Sequence, residues 1–293
     1  MTDNSKITIV TAFYALGREG WQGFERSDDV YYERFTRLAR LKNDMIVYVA
    51  NQENKDRVLK VRNQVCPGGR TEVVIYDFME DQKDVYEKIQ NILDNPEYKS
   101  KVPVKLHQNP EYWNGWYVLV NLVKTYVVRD SIQKGLVKDK LVAWVDFGVA
   151  REDDYFENLD EWKYDFPQNK VNVYNVRKYK YFPRLKTEED THRLMYENDN
   201  YIIGTAFVSG QAKMVEYCNY FQEAVQYLLA KGITDDDQGI MMYLFWKYPR
   251  MHKLHFLGKP KRPGWPLEGI FQRVNQNKRG YKFREKIRRL FGK

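Results

Sequence analysis

The sequence predicts an α/β protein with a mostly parallel central sheet flanked by helices. Two observations carry that expectation. The apolar runs Met45-Ile46-Val47-Tyr48-Val49-Ala50 and Leu141-Val142-Ala143-Trp144-Val145 are continuous rather than alternating, as strands covered on both faces are. Before residue 80 the chain also reads strand, helix, strand, helix, strand, the order that crossovers between parallel strands require.

The chain opens with a β-rich run at 7–14, followed by a loop at 15–20. A helix is expected over 29–41, where Tyr32, Phe35, Leu38 and Ala39 share one face. The second strand, 45–50, leads through a mixed helical segment at 55–65 and the turn Pro67-Gly68-Gly69 to a third strand at 72–76. Residues 77–109 read as one helix and loops, and 116–134 as a long amphipathic helix entering the central strand, 141–145. A polar, acidic and aromatic insertion follows Gly148, then an antiparallel ribbon at 171–184. Residues 201–210 are strand-like and lead into a helix at 211–230. Its stripe of Met214, Cys218, Phe221, Val225 and Leu228 is core, and Gly232 ends it. Thr234 is the expected N-cap of a last helix running to Trp246, with Asp235, Asp236 and Asp237 at its mouth. Nothing marks an internal boundary, so 1–272 reads as one domain and 273–293 as a tail.

Charge sharpens that division. The net charge is +8, and residues 273–293 hold nine basic residues against Glu285 alone, so the body is formally neutral. A uniformly basic nucleic-acid-binding surface is thereby excluded. No apolar run approaches the roughly eighteen residues of a membrane span. The N-terminus lacks a signal-peptide pattern, which makes a cytoplasmic location the expectation. Cys66 and Cys218 read as buried free thiols. The 23 tyrosines and 7 tryptophans suit pockets that stack rings and sugars, and equally suit an ordinary core.

Two stretches can carry chemistry. Asp146 ends the central strand, where open α/β sheets bind ligands, so it is either a site residue or a cap for the following turn. The stretch Leu254–Trp265 sets His255 and Gly258 beside Lys259, Lys261 and Arg262. Glycine amides and ammonium groups suit phosphate oxygens, and a neutral imidazole suits a divalent metal. Asp146-Phe147-Gly148 also spells the metal-binding tripeptide of protein kinases. No Gly-rich loop or His-Arg-Asp segment accompanies it, so that reading is rejected.

The residues His255, Gly258, Lys261 and Trp265 resemble the C-terminal signature of glycosyltransferase family 8, with Gly264 as one extra residue before the tryptophan. Asp146 matches the first aspartate of that family's Asp-x-Asp, and Asp237-Gln238 an Asp-Gln pair beside the donor sugar. Gly148 departs from the pattern, standing where the second aspartate would be. Over most of its body the chain looks closer still to the HtrL/YibB-like family, candidate glycosyltransferases of the GT-A type from surface-polysaccharide gene clusters.

The resemblance implies a GT-A-like fold and a metal-assisted hexosyltransferase. It implies a UDP-linked sugar donor, a glycan or lipid-linked acceptor, and Mn²⁺ or Mg²⁺ held by Asp146 and His255. Donor binding would fall to Thr11, Ala12, Phe13, Arg18, Asp146, Gly204, Gly258, Lys259 and Lys261, and catalysis to Asp237, Gln238 and Asp236. A carboxylate among Asp235, Asp236 and Asp237 is the candidate general base, unless these acids only stabilise a helix terminus. The competing function is a non-catalytic protein that docks through its tail on RNA or acidic lipid. Phe283, Ile287, Leu290 and Phe291 fall on one helical side among cations, which favours the inner face of an anionic membrane over a nucleic-acid groove.

Overall fold

The computed structural model describes residues 5–156, 159–177, 185–258, 267 and 269–271. β1 (Ile7–Phe13), α1 (Asp28–Leu38), β2 (Met45–Val49), α2 (Gln52–Val65) and β3 (Thr71–Ile75) alternate as expected. Each helix starts on a polar side chain: Ser27 accepts from Val30 at α1, and Asn51 from Asn54 at α2. The Asn51 cap starts α2 three residues before the expected boundary at 55.

Residues 77–109 hold three helices rather than one: α3 (Phe78–Asp81), α4 (Lys83–Asp94) and α5 (Pro96–Lys101). Polar side chains at Asp77 and Asn95 restart the backbone there, each accepting from amides of the next helix. α6 (Gly115–Gln133) then leads into β4 (Leu141–Val145), all five residues of which are buried. β5 (Val171–Asn175), α7 (Glu188–Glu197), β6 (Ile202–Gly210), α8 (Gln211–Ala230), α9 (Asp237–Lys247) and β7 (His252–Phe256) complete the order.

The seven strands form one sheet, β3-β2-β1-β4-β6-β5-β7. Every pairing is parallel except the two made by β6. The expected antiparallel ribbon is therefore part of the sheet over 171–175, between β6 and β7, and 178–184 lie outside the described residues.

Two cores cover the two faces. Val10, Trp144, Val173 and Phe207 look toward α4, α6, α8 and α9, while Ile9, Val145, Tyr174 and Val208 look toward α1 and α2. The insertion after Gly148, read from sequence as polar, acidic and aromatic, contributes its aromatic Trp162 and Phe166 to the second core, where Trp162 packs on Phe271. Both cysteines are free and buried. No helix among the described residues is long and apolar enough to cross a membrane. The tail at 273–293 lies outside the described residues.

Candidate active site

Because β6 runs against its neighbours, its first residues arrive at the edge where β1 and β4 end. Val145 pairs with Ala206, and the Asp146 amide donates to the Thr205 carbonyl at 2.9 Å. A cavity of about 430 Å³ opens there, walled by the end of β1, the first half of α6, the turn after β4, Gly204 and the mouth of α9. It lies at the carboxyl ends of parallel strands beside a change of direction, the position at which α/β sheets bind ligands.

Lys124 of α6 stands at its centre. Its Nζ lies 3.0 Å from Asp146 Oδ1 and 2.6 Å from Asp237 Oδ2, and the side chain is 8% exposed. Trp144 Nε1 donates to the same Asp146 oxygen at 2.8 Å. Burial alone would drag the Lys124 ammonium down, but Asp146 and Asp237 together outweigh it and hold the group above an ordinary lysine. One ammonium nevertheless faces an excess of carboxylates. Burial pushes the Asp237 carboxyl up, Lys124 opposes it, and Asp236 and Asp146 push further, so that it is raised to about 7. Asp236 is likewise raised to about 6, by burial first and then by Glu111.

The three acids before α9 have separate tasks. Asp236, not Thr234, is the N-cap: its side chain accepts from the Gln238 amide at 2.9 Å. Asp237 is 3% exposed and lies against β6, where a Cβ on Gly204 would fall 1.8 Å from its carboxylate oxygen. Only glycine admits that carboxylate to the sheet surface. Asp235 is buried on the other side of the turn, over Gly239, and does not line the cavity.

The opposite wall comes from β1 and the loop after it. Ala12, Phe13 and Arg18 line the cavity, whereas Thr11 is buried behind them. Arg18 donates to Tyr31 Oη at 2.7 Å and to the Phe24 carbonyl, with its guanidinium over Trp21 and Tyr117. Three buried polar atoms on cavity-lining residues, Tyr14 Oη, Arg18 Nε and Gln238 Oε1, have no hydrogen-bond partner among the described residues. Buried polar groups are normally paired, so three unpartnered ones on residues that line one cavity mark its surroundings as polar.

Of the residues singled out from sequence, Ala12, Phe13, Arg18, Asp146, Gly204, Asp236, Asp237 and Gln238 meet at this cavity. His255 does not join them. It sits on β7, three strand positions from β4, with Nε2 3.1 Å from Asn172 Oδ1 and its ring against Phe166 and Tyr174. Asn172 Nδ2 donates to backbone carbonyls, so Oδ1 is the acceptor and the proton sits on His255 Nε2. Those two rings belong to the α1/α2 face of the sheet, whereas Trp144 and Lys124 hold Asp146 on the α6 face. Gly258 follows β7 and does not line the cavity, and Lys259 and Lys261 lie outside the described residues. Among the described residues no three His, Cys, Asp or Glu side chains are placed to hold a metal.

Lys124 was missed by sequence reasoning. Its signal was a lysine on a buried stripe, with Val127, Val128 and Ser131 one and two turns on. Glu111 was also missed. It lines the cavity at 8% exposure, its carboxyl raised by burial while accepting from Asn109 and Asn198.

A family model described as "Bacterial protein of unknown function (HtrL_YibB)" matches residues 5–263. Protein HtrL of Escherichia coli (strain K12) is 34% identical over 264 residues, spanning 88% of this chain and 90% of that protein. The crystal structure of mouse xyloside xylosyltransferase 1 in its apo form is similar at 8% identity, covering 86% of this chain and 84% of that one, with a TM-score of 0.38.

Proposed function

The chain belongs to the HtrL_YibB family, and from its cavity we propose that it is a GT-A-type glycosyltransferase using a nucleotide-sugar donor. The observation that carries the proposal is the meeting of Asp146, Asp237 and Gln238 around Lys124 in one cavity at the carboxyl edge of the sheet. Lys124, Asp146 and the Asp237–Gln238 pair come from three distant parts of the sequence, and an ordinary helix cap needs neither Lys124 nor Asp146.

In this reading the donor is a UDP-linked hexose and the acceptor is a glycan or a lipid-linked sugar. Asp237 is the general base. A carboxyl raised to about 7 is poised to take the proton of an acceptor hydroxyl near neutral pH. Lys124 fixes its orientation and keeps cationic charge beside it. Gln238, with an unpartnered carbonyl oxygen, accepts from a sugar hydroxyl, and Asp236 holds the turn that presents both. Attachment of the 273–293 tail to an anionic membrane, where a lipid-linked acceptor resides, belongs to the same proposal and rests on the sequence pattern of charge and apolar residues alone.

The Mn²⁺ or Mg²⁺ implied by the resemblance would need Asp146 and His255 as ligands. The described residues do not fit it. Asp146 Oδ1 already accepts from Lys124 and Trp144, His255 faces the other layer, and a carboxylate-bearing residue at Gly148 would press its Cβ to 3.0 Å from the Tyr31 ring. No step is assigned to a metal.

Thermal-shift measurement against a panel of UDP-, GDP- and ADP-sugars, each with Mn²⁺ and with EDTA, tests the reading. Stabilisation by one nucleotide sugar is expected. A flat response to every member of the panel would overturn it.

A further inference from the structure

Three arginines on the outer wall of the cavity have no task in the proposed reaction. Arg26 follows the loop after β1, Arg34 lies on α1, and Arg151 follows the turn after β4; all three line the cavity. None makes an ion pair or side-chain hydrogen bond among the described residues. Most other guanidinium groups among the described residues are partnered, the exposed Arg40 and Arg250 apart. Arg37 is paired with Glu33 and Asp153, Arg57 with Asp29, and Arg70 with Asp44 and Glu72, while the buried Arg62 donates to the carbonyls of Ala39, Leu41 and Asn43.

We propose that Arg26, Arg34 and Arg151 form a binding site for the diphosphate of a nucleotide, and that their fixed charge neutralises it without a metal ion. The proposal rests on the glycosyltransferase reading and names the donor group that this wall takes. Unpaired cations gathered on one concave wall repel one another and favour an anion between them. Planar guanidinium forks suit phosphate oxygens, which accept two parallel hydrogen bonds. Arg34 feels its neighbours: burial pulls its guanidinium down, and Arg26 and Arg151 pull it further. Asp28 is an acid on the same wall, its carboxyl raised by burial first and then by Glu19.

Position supports the assignment. Gly148, two residues after Asp146, is the link between the two ends of the cavity. A Cβ there would fall 3.0 Å from Tyr31 and 3.7 Å from Arg34 Cδ. Arg18, whose guanidinium donates to the Tyr31 hydroxyl, lines the same cavity and adds a further cation beside Tyr31. A diphosphate against the arginines would therefore leave its sugar pointing toward Asp146, Asp237 and Gln238.

Calorimetric titration with UDP and with inorganic pyrophosphate in EDTA tests the site, using the full chain. The wild type is expected to bind both probes. Arg34→Gln and Arg151→Gln should each weaken them by about 10–100-fold, the loss expected of a charge-assisted hydrogen bond. Arg34→Lys should retain part of the affinity, and Arg250→Gln, exposed and away from the cavity, all of it. Without ligand, Arg34→Gln should melt no lower than the wild type, because it removes a repelled charge. A variant that simply misfolds would melt lower. If the wild type binds UDP but the arginine variants bind it equally well, or bind only with Mn²⁺ and regardless of the substitutions, the cluster is not the diphosphate site and the glycosyltransferase reading stands. If the wild type binds no nucleotide, both fall.

Discussion

Replacing Lys124 by methionine keeps most of the side chain's volume and removes one charge. What remains are two carboxylates, Asp146 and Asp237, that had an ammonium 3.0 and 2.6 Å away. Breaking a buried ion pair from one side costs ~3–5 kcal/mol, because the surviving charge stays buried without compensation. For a domain of this size a loss of ~1 kcal/mol lowers Tm by about 2–4 °C, so Lys124→Met should melt about 10 °C below wild type.

The deficit should depend on pH in a definite direction. Asp237 is raised in the fold from 3.8 to about 7, so the folded chain holds a proton that the unfolded chain releases. The corresponding stability is fully present below the unfolded value and is lost as pH rises through the folded one. Without Lys124 the one pull that lowers the Asp237 carboxyl is gone, and the loss extends to higher pH. The variant should therefore approach wild type near about pH 5 and fall furthest behind near about pH 8. Adding Asp237→Asn to Lys124→Met should recover most of the difference. Urea unfolding at the two pH values reads all of this. A deficit under about 1 kcal/mol, or one of equal size at both pH values, would refute the view that Lys124 is the charge that compensates this site.

Three further outcomes are expected from the same geometry. Asp237→Asn should lower kcat by ~10²–10⁴-fold with a nearly unchanged donor Kd, and in the wild type kcat should rise with pH through about 7, as steady-state rates and a binding titration would show. Gly204→Ala places a methyl group on the Asp237 carboxylate and should cost ~1–3 kcal/mol in chemical denaturation together with most of the activity. Burial lowers the His252 imidazole from 6.5 to about 4, so stability present above the unfolded value is lost as pH falls through the folded one; His252→Phe should flatten that limb in unfolding curves between about pH 7 and about pH 4.

The parts of the fold legible in the sequence were those set by local pattern. The runs at 45–50 and 141–145 could only be doubly covered strands, and the stripe from Met214 to Leu228 could only be a core helix face; each lies where expected. Asp146 was legible because a strand end is marked in sequence by the residues themselves, and the acids at 235–237 because a helix mouth is; Gln238 was singled out only through the resemblance to glycosyltransferase family 8. Lys124 was not, since one cation in an apolar helix means nothing until Asp146 and Asp237 arrive from positions 22 and 113 residues further on. The arginine wall was hidden for the same reason, its members being drawn from three separate segments. His255 was misleading in the opposite way. Its motif is local, but which layer a side chain on β7 faces depends on the pairing of β7 with β5.

The antiparallel course of β6 has a kinetic meaning as well. Its reversal brings Gly204, and with it Asp237, to the cavity, where Asp146, Asp236 and Asp237 share the lining with Arg26, Arg34 and Arg151. In the proposed arrangement the arginines take the charged part of a ligand and the acids its sugar. An anion diffusing toward the cavity would then be drawn to the arginines. A ligand charged at its middle and neutral at one tip would settle with that tip toward the acids. Such a field acts before contact, and it fades as added salt shortens its reach. Orientation would then be chosen during approach rather than sorted after docking, and association, more than dissociation, would carry the dependence on ionic strength.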